Sequence, residues 1–270
     1  MKICIIGNSK RLSILESNLI QNGFTVTHYE NCSKIDKEIN DDFIVLPVPT
    51  VNKKGYINTD DKVFTVDDLF GKIAKRSKVI TCGLEAKSHT TIDLNLREDF
   101  AYLNAVPTAE GAIYYAIQNT DKALFESKIL ITGFGRVAKL LADRLRLLCK
   151  NVTVGARSQK DLSYAEAIGF NCLNLKDLER KINNFDIIFQ TVPHRIITGK
   201  TIENMDKGTI IIELSSKSIG TDFSYAESLG IKVIHAPALP EKIAPITAGN
   251  ILTKSVLSII DEYSNSIYSE

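Results

Sequence analysis

A strand, a glycine-rich turn and a helix follow one another in the middle of the chain and constrain its fold most. The apolar run ILIT (129–132) leads into GFGRVA (133–138), which opens an amphipathic helix. In such a turn the first glycine permits a tight bend, the second lets a pyrophosphate approach the backbone, and a small third residue permits close helix packing. The helix N-terminus adds free N–H groups for phosphate. We therefore predict a dinucleotide-binding turn formed by Gly133, Phe134, Gly135, Arg136 and Val137; the alternative is a turn that is merely tight.

Short apolar runs alternate with amphipathic helices along the whole chain, which predicts parallel sheets covered by helices. The predicted fold class is α/β, with two Rossmann-like parallel-sheet domains joined by a long interdomain helix. We expect a substrate-side domain over residues 1–105 and an interdomain segment over 106–121, whose helix has Thr108 as candidate N-cap. The dinucleotide domain follows over 122–245. A final helix, 246–270, is expected to pack back between the domains, whose cleft is the expected ligand site.

Composition excludes several other classes of protein. The chain has 270 residues, of which 44% are hydrophobic and 24% charged, and its net charge is +1. This is typical of a globular protein without a basic nucleic-acid groove. No run approaches the roughly 20 apolar residues of a membrane span, and five scattered cysteines indicate a reducing, cytoplasmic location. No His, Cys, Asp or Glu cluster has the spacing of metal ligands, so we expect no metal.

The end of the strand after the glycine turn distinguishes NADP from NAD. An NAD site normally has an acid there that binds the ribose hydroxyls. This chain instead has GARSQK (155–160), with no acid before Asp161. Arg157 could pair with a 2′-phosphate and Ser158 could donate a further hydrogen bond. We favour NADP, with NAD as the alternative. A third interpretation is that Arg157 and Lys160 belong to a solvent-exposed basic loop that binds no cofactor.

Polar residues also follow other predicted strands, where ligands of open α/β sheets bind. Thr191, Val192 and Pro193 are expected beside the nicotinamide, and Ser215 beside the same cofactor. Ser216 and Lys217 follow directly, and His235 ends a later strand.

The first strand–helix turn, GNSKR (7–11), lacks the second and third small residues of a dinucleotide turn. It could still bind an anion through backbone N–H groups and positive charge. We predict that Asn8, Ser9 and Arg11 bind a substrate carboxylate. A basic helix start exposed to solvent is the equally weighted alternative.

Six motifs, in this order, resemble those of the A-subunit of dipicolinate synthase over nearly the whole chain. They are NAVPTAEGAI (104–113), GFGRVAKLLADRL (133–145), VGARS (154–158), TVP (191–193), ELSSK (213–217) and LPEKIAPITAG (239–249). Two departures lie on predicted cleft loops: Ser218-Ile219-Gly220 replaces a Pro-Gly-Gly type turn, and Glu241 stands where a glycine is expected.

The resemblance implies NAD(P)-dependent oxidation of dihydrodipicolinate or hydroxytetrahydrodipicolinate to dipicolinate during sporulation. It also implies a flavoprotein-like B-subunit of dipicolinate synthase as partner, an oligomer, and a cytoplasmic location in the mother cell. The small dicarboxylate would be held by Asn8, Ser9, Arg11, Thr108, Ser216 and Lys242, with His235, Glu110 and Lys217 as candidate catalytic groups.

The general base stays open between His235, Glu110 and a residue of the partner. Two other functions also stay open. One is a two-domain hydroxy-acid dehydrogenase, which would need an Arg–carboxylate–His set; the other is a non-catalytic dinucleotide-binding subunit.

Overall fold

The computed structural model describes residues 1–61, 63–215 and 220–267. The chain forms two compact units: unit 1 comprises Met1–Asn104 with Ala244–Glu270, and unit 2 comprises Ala105–Ile243. Each unit contains one sheet whose strand pairs are all parallel. The predicted α/β class with two parallel sheets is therefore confirmed.

Unit 1 contains a five-stranded sheet in the order β2-β1-β3-β4-β5. Its strands are β1 (Lys2–Ile6), β2 (Thr25–Tyr29), β3 (Phe43–Val45), β4 (Lys78–Thr81) and β5 (Thr90–Asp93). β1 is buried on both faces after its first residue, as expected for a central strand of a parallel sheet. The strand order reverses between β1 and β3, and such a reversal is where ligands bind in open α/β sheets.

Helices cover both faces of the unit 1 sheet. They are α1 (Lys10–Gln21), α2 (Val66–Phe70) and α10 (Pro245–Ile267). The apolar side chains of α1 and α10 share one core with Ile3 and Ile5, whereas Cys4 and Ile6 face the core that contains α2. α10 packs along α1, and Gly249 permits the close approach because a Cβ there would lie 2.5 Å from Ile14 Cγ2.

Unit 2 contains a six-stranded sheet in the order β11-β10-β9-β6-β7-β8. Its strands are β6 (Lys128–Thr132), β7 (Asn151–Ala156), β8 (Asn171–Asn174), β9 (Ile187–Gln190), β10 (Ile210–Glu213) and β11 (Lys232–His235). With β6 counted as the first strand, the order is 3-2-1-4-5-6, the arrangement of dinucleotide-binding sheets. The reversal of strand order lies between β6 and β9.

Unit 2 is also layered on both sides of its sheet. Besides most of the helix over Glu98–Asn119, its helices are α4 (Arg136–Leu148), α5 (Gln159–Ala167), α6 (Leu178–Lys181), α7 (Gly199–Glu203), α8 (Phe223–Ser228) and α9 (Leu239–Ile243). Ile131, Phe189 and Ile212 face the core that contains α4 and α5. Their strand neighbours Leu130 and Ile188 point to the opposite core, beside α6, α7 and α8.

The predicted interdomain helix begins earlier than expected. α3 spans Glu98–Asn119 and runs through Pro107, so the predicted helix is present but the prediction of Thr108 as its N-cap was wrong. A proline usually marks a helix start or break because its ring lacks an N–H and crowds the preceding turn. Here the helix continues through it, because Ala105, Ala109, Ala112 and further residues of α3 are buried. Among residues 1–61, 63–215 and 220–267, no helix is long and apolar enough to cross a membrane.

Candidate functional site

The strands of unit 2 align their last residues at the carboxyl edge of the sheet. Gly155 pairs with Thr132, Thr132 with Gln190, Gln190 with Glu213, and Glu213 with His235. The pairs are in register on parallel strands, so these residues form one row across five strands. At this edge, where ligands bind in such sheets, a glycine and four polar residues thus take the place of the apolar residues that fill the rest of the sheet.

The glycine turn has the shape that the sequence predicts. Gly133 has a φ of +90° and its N–H donates to the Gly155 carbonyl at 2.7 Å. A Cβ on Gly133 would lie 2.7 Å from Thr191 Oγ1, whereas a Cβ on Gly135 would meet nothing within 4 Å. Gly135 is the N-cap of α4 and supplies no side-chain cap. The open space at Gly135, and a helix start whose N-cap residue supplies no side chain, fit a dinucleotide pyrophosphate.

The other predicted residues of the turn are Phe134, Arg136 and Val137, and their side chains differ in how far they are buried. The Phe134 side chain is 7% exposed and packs in the core, with its ring centroid 6.1 Å from that of Tyr164. The side chain of Phe134 is therefore not exposed to a ligand, and only its backbone could contact one. Arg136 and Val137 are in the first turn of α4, where Val137 is half-buried. The structure brings all five predicted residues together at one helix end.

The loop after β9 is fixed by hydrogen bonds to the end of β6. Thr191 Oγ1 donates to the Thr132 carbonyl at 2.6 Å. The amide of Gln190 contacts Val192 twice, accepting from its N–H at 2.8 Å and donating to its carbonyl at 2.9 Å. Pro193 is exposed. Gln190 is not among the site residues predicted from the sequence, although it is an amide that directly follows the apolar run IIF (187–189).

A buried carboxylate organises the end of β10. Glu213 is fully buried, and both Ser215 and Thr221 donate their hydroxyls to its carboxylate, Thr221 at 2.8 Å. Burial raises the pKa of Glu213, while these hydrogen bonds act in the opposite direction. Ser215, predicted to bind the cofactor, is buried with its hydroxyl on this acid. Ser216 and Lys217 lie outside the described residues.

The loop after β7 presents a cation where an NAD site has an acid. Arg157 is exposed, and within the described part of the chain its side chain has no hydrogen-bond or ion-pair partner. Ser158 is the N-cap of α5 and accepts from the Asp161 N–H at 3.1 Å. The hydroxyl proton of Ser158 remains available for donation because the cap uses only its oxygen. Asp161 lies in the first turn of α5.

The remaining predicted residues of unit 2 do not all lie at the glycine turn. His235 is half-buried at the end of β11, with its ring edge-on to Phe223. Glu110 is on the exposed side of α3, 3.6 Å from the Arg144 guanidinium in the later half of α4. Thr108 is half-buried within α3, and Lys242 lies on α9. Glu110 is therefore not brought to the start of α4.

In unit 1 the predicted anion-binding residues follow β1, beside the reversal of strand order. Ser9 caps α1 by accepting from the Leu12 N–H at 3.4 Å. Asn8 donates to Asp60 at 3.2 Å. Arg11 is only 3% exposed, and its guanidinium donates to Asn104 at 3.2 Å. The three residues cluster at one strand end, while their binding of substrate stays a prediction.

No group of three or more His, Cys, Asp and Glu in the described segments could hold a metal ion.

Comparison with known proteins supports a dehydrogenase-type chain. The profile of the shikimate / quinate 5-dehydrogenase family matches residues 115–217. That region contains the glycine turn, the loop after β7 and the loop after β9. The match and the strand order of unit 2 support an oxidoreductase with a domain of the kind that binds nicotinamide dinucleotides.

Relatives that span the full chain identify a narrower family. The A-subunit of dipicolinate synthase from Bacillus subtilis (strain 168) is 30% identical over 289 residues, covering 97% of this chain and 96% of that protein. The crystal structure of the A-subunit from Bacillus halodurans superimposes with a TM-score of 0.85 at 28% identity, covering 96% of this chain and 97% of the other. The Bacillus subtilis structure gives 0.84 at 28% identity, covering 98% and 97%. The chain therefore belongs to the A-subunit family of dipicolinate synthase.

Proposed function

We propose that this chain oxidises dihydrodipicolinate, or hydroxytetrahydrodipicolinate after loss of water, to dipicolinate with NADP as the oxidant. In the dihydro case the ring loses one hydride and one proton, and NADPH is formed. The observation that carries the proposal is the open space at Gly135, the N-cap residue of α4, which has no side chain to block the helix start, in a chain of this family. This arrangement is suited to a pyrophosphate.

The chain's own residues provide the expected contacts of the cofactor. When bound, the nicotinamide accepts the hydride from the ring. Backbone N–H groups at Gly135, Arg136 and Val137 would hold the pyrophosphate. The exposed guanidinium of Arg157 favours NADP because it can form a charge-assisted fork with a 2′-phosphate. NAD, which lacks that phosphate, is the alternative cofactor.

The substrate's two carboxylates require cations or N–H donors, and the leaving proton requires a base. Lys217, Ser216 and Lys242 are the proposed carboxylate ligands of unit 2, and Asn8, Ser9 and Arg11 are those of unit 1. His235 is our preferred base because it ends β11 in the row that contains Thr132 and Gln190. An imidazole takes up a proton near neutral pH. Glu110 is disfavoured because it lies beside Arg144.

The relatives are named as the A-subunit of a synthase, and that name supports a proposal that this chain works with a second, different polypeptide. We propose a flavoprotein-like B-subunit in a hetero-oligomer within the cytoplasm of a sporulating mother cell. Co-purification of the two tagged polypeptides tests the association directly.

The activity is tested with purified chain, freshly generated dihydrodipicolinate precursor, and either NADP or NAD. Each reaction is run with and without the partner polypeptide, and the ultraviolet absorbance of dipicolinate is followed beside that of reduced nicotinamide. We expect dipicolinate and faster turnover with NADP. No dipicolinate in any arm would refute the proposal, and oxidation of simple 2-hydroxy acids instead would favour a hydroxy-acid dehydrogenase.

A further inference from the structure

Gln190 is a fully buried amide at the end of β9, and its two polar atoms contact the end of β6 and the loop that follows β9. Oε1 accepts from Thr132 Oγ1 at 2.6 Å and from the Val192 N–H at 2.8 Å. Nε2 donates to the Val192 carbonyl at 2.9 Å and lies 3.5 Å from the His194 carbonyl oxygen. A primary amide can accept twice and donate twice, so Gln190 uses its full hydrogen-bonding capacity here.

A third segment, at Gly220, depends on the position of the same side chain. A Cβ built on Gly220 would lie 1.6 Å from Gln190 Nε2 and 2.5 Å from its Cδ. Only a glycine lets the backbone at position 220 pack on this amide. Gly220 is itself tied to the loop after β9, since the Ile196 and Ile197 N–H groups lie 3.0 Å from its carbonyl oxygen.

We infer that Gln190 is a positioning residue that fixes the end of β6, the loop at 191–194 and Gly220 relative to one another. In this way it sets the nicotinamide side of the dinucleotide site. The inference rests on the proposed function for the identity of the ligand. It goes beyond that function because Gln190 acts through Thr132, Val192 and Gly220 rather than through contact with the reacting ring.

The physical basis is the cost of leaving polar groups beside a buried amide without partners. The Val192 N–H and carbonyl both pair with the Gln190 amide. If the amide is removed, both groups lose that partner, and the loop must move to recover hydrogen bonds from water. A moved loop no longer presents Thr191 and Val192 in the geometry that the site requires.

The test compares Gln190→Met, Gln190→Ala, Gly220→Ala and the Gln190→Ala/Gly220→Ala double variant with wild type. Gln190→Met keeps the side-chain volume and removes the hydrogen bonds. Gly220→Ala forces the amide to move without changing it. Gly208→Ala is the matched control, because a Cβ at Gly208 meets nothing within 4 Å and the residue precedes β10 at the opposite edge of the sheet.

Three measurements are made on each variant: amide hydrogen exchange at Val192 in the unliganded chain, the Kd for NADPH, and the emission of NADPH at saturation. We expect exchange at Val192 and the Kd to rise by about tenfold or more in Gln190→Met and in Gly220→Ala. The saturated emission should change as well, which lowered stability alone would not cause. The control should match wild type in all three.

The double variant tests whether the two positions act as one. We expect it to be no worse than Gln190→Ala alone, because the alanine at 190 removes the clash. Additive losses, or unchanged exchange at Val192 in Gln190→Met, would overturn the inference. If wild type bound no dinucleotide, the proposed function would fail, while the exchange data would still decide the role of Gln190.

Discussion

Replacement of Gly135 by valine should separate the stability of this chain from its binding of dinucleotide. Gly135 has an extended backbone, with φ −79° and ψ −169°, a conformation that valine adopts readily. A Cβ there meets no atom within 4 Å. The added side chain therefore extends into open space beside the first turn of α4, where the pyrophosphate of a dinucleotide is expected.

The expected magnitudes follow from that geometry. Valine is a poorer N-cap than glycine, so the free energy of unfolding should fall by about 1 kcal/mol or less. Binding should suffer far more, because the side chain separates phosphate oxygens from the N–H groups of Arg136 and Val137. Two hydrogen bonds to a charged group at about 1.5 kcal/mol each amount to about 3 kcal/mol, a factor of about 100 in Kd.

The assay pairs urea denaturation with NADPH fluorescence titration of the same samples. Gly208→Val is the control, since a Cβ at Gly208 also meets no atom within 4 Å and the residue lies at the opposite edge of the sheet. An unchanged Kd in Gly135→Val would refute the placement of the pyrophosphate. A collapse of stability in Gly135→Val would instead refute the open space at this position.

Three further predictions concern neighbouring positions. Arg157→Asp should raise the Kd for NADP by about tenfold or more and leave that for NAD within about twofold; equal effects in parallel titrations would contradict the 2′-phosphate contact. Gly133→Ala should lower the free energy of unfolding by about 2 kcal/mol, because a left-handed φ of +90° and a Cβ 2.7 Å from Thr191 Oγ1 both oppose it; a urea midpoint equal to that of wild type would be inconsistent with this strain. Burial raises the pKa of Glu213, so the folded chain keeps a proton on this carboxyl that the unfolded chain loses at about pH 4. The free energy of unfolding should therefore fall as the pH rises from the unfolded pKa of Glu213 to its folded pKa. Glu213→Gln should remove that fall, and urea midpoints from pH 4 to 8 that change in parallel for both proteins would argue against it.

Local patterns predicted the sheets well because they determine which segments can be buried. The predicted apolar run at 129–132 forms all but the first residue of β6, since a continuous apolar run followed by a glycine is typical of a buried strand that ends in a turn. The glycine turn was equally predictable, because a tight bend, a close backbone approach and a small packing residue each require a particular residue type. β5 and β8 were not predicted, because their polar, partly exposed residues carry no apolar run.

The errors arose where long-range packing overrides a local signal. Thr108 was predicted as a helix N-cap, but α3 begins at Glu98 and continues through Pro107, with its alanines in the core. Gln190 and Glu213 were not predicted as site residues. Their roles depend on strand register, which places them side by side at the sheet edge, and no spacing within the sequence encodes that neighbourhood.

The most direct test of the account is the stoichiometry between dipicolinate and reduced dinucleotide in the complete reaction. With NADP as the oxidant, we predict one NADPH for each dipicolinate formed from dihydrodipicolinate, and loss of both products together in Gly135→Val. Dipicolinate formed without reduction of the dinucleotide, or formed at an undiminished rate by Gly135→Val, would contradict the assignment of this chain as the dinucleotide-dependent oxidant.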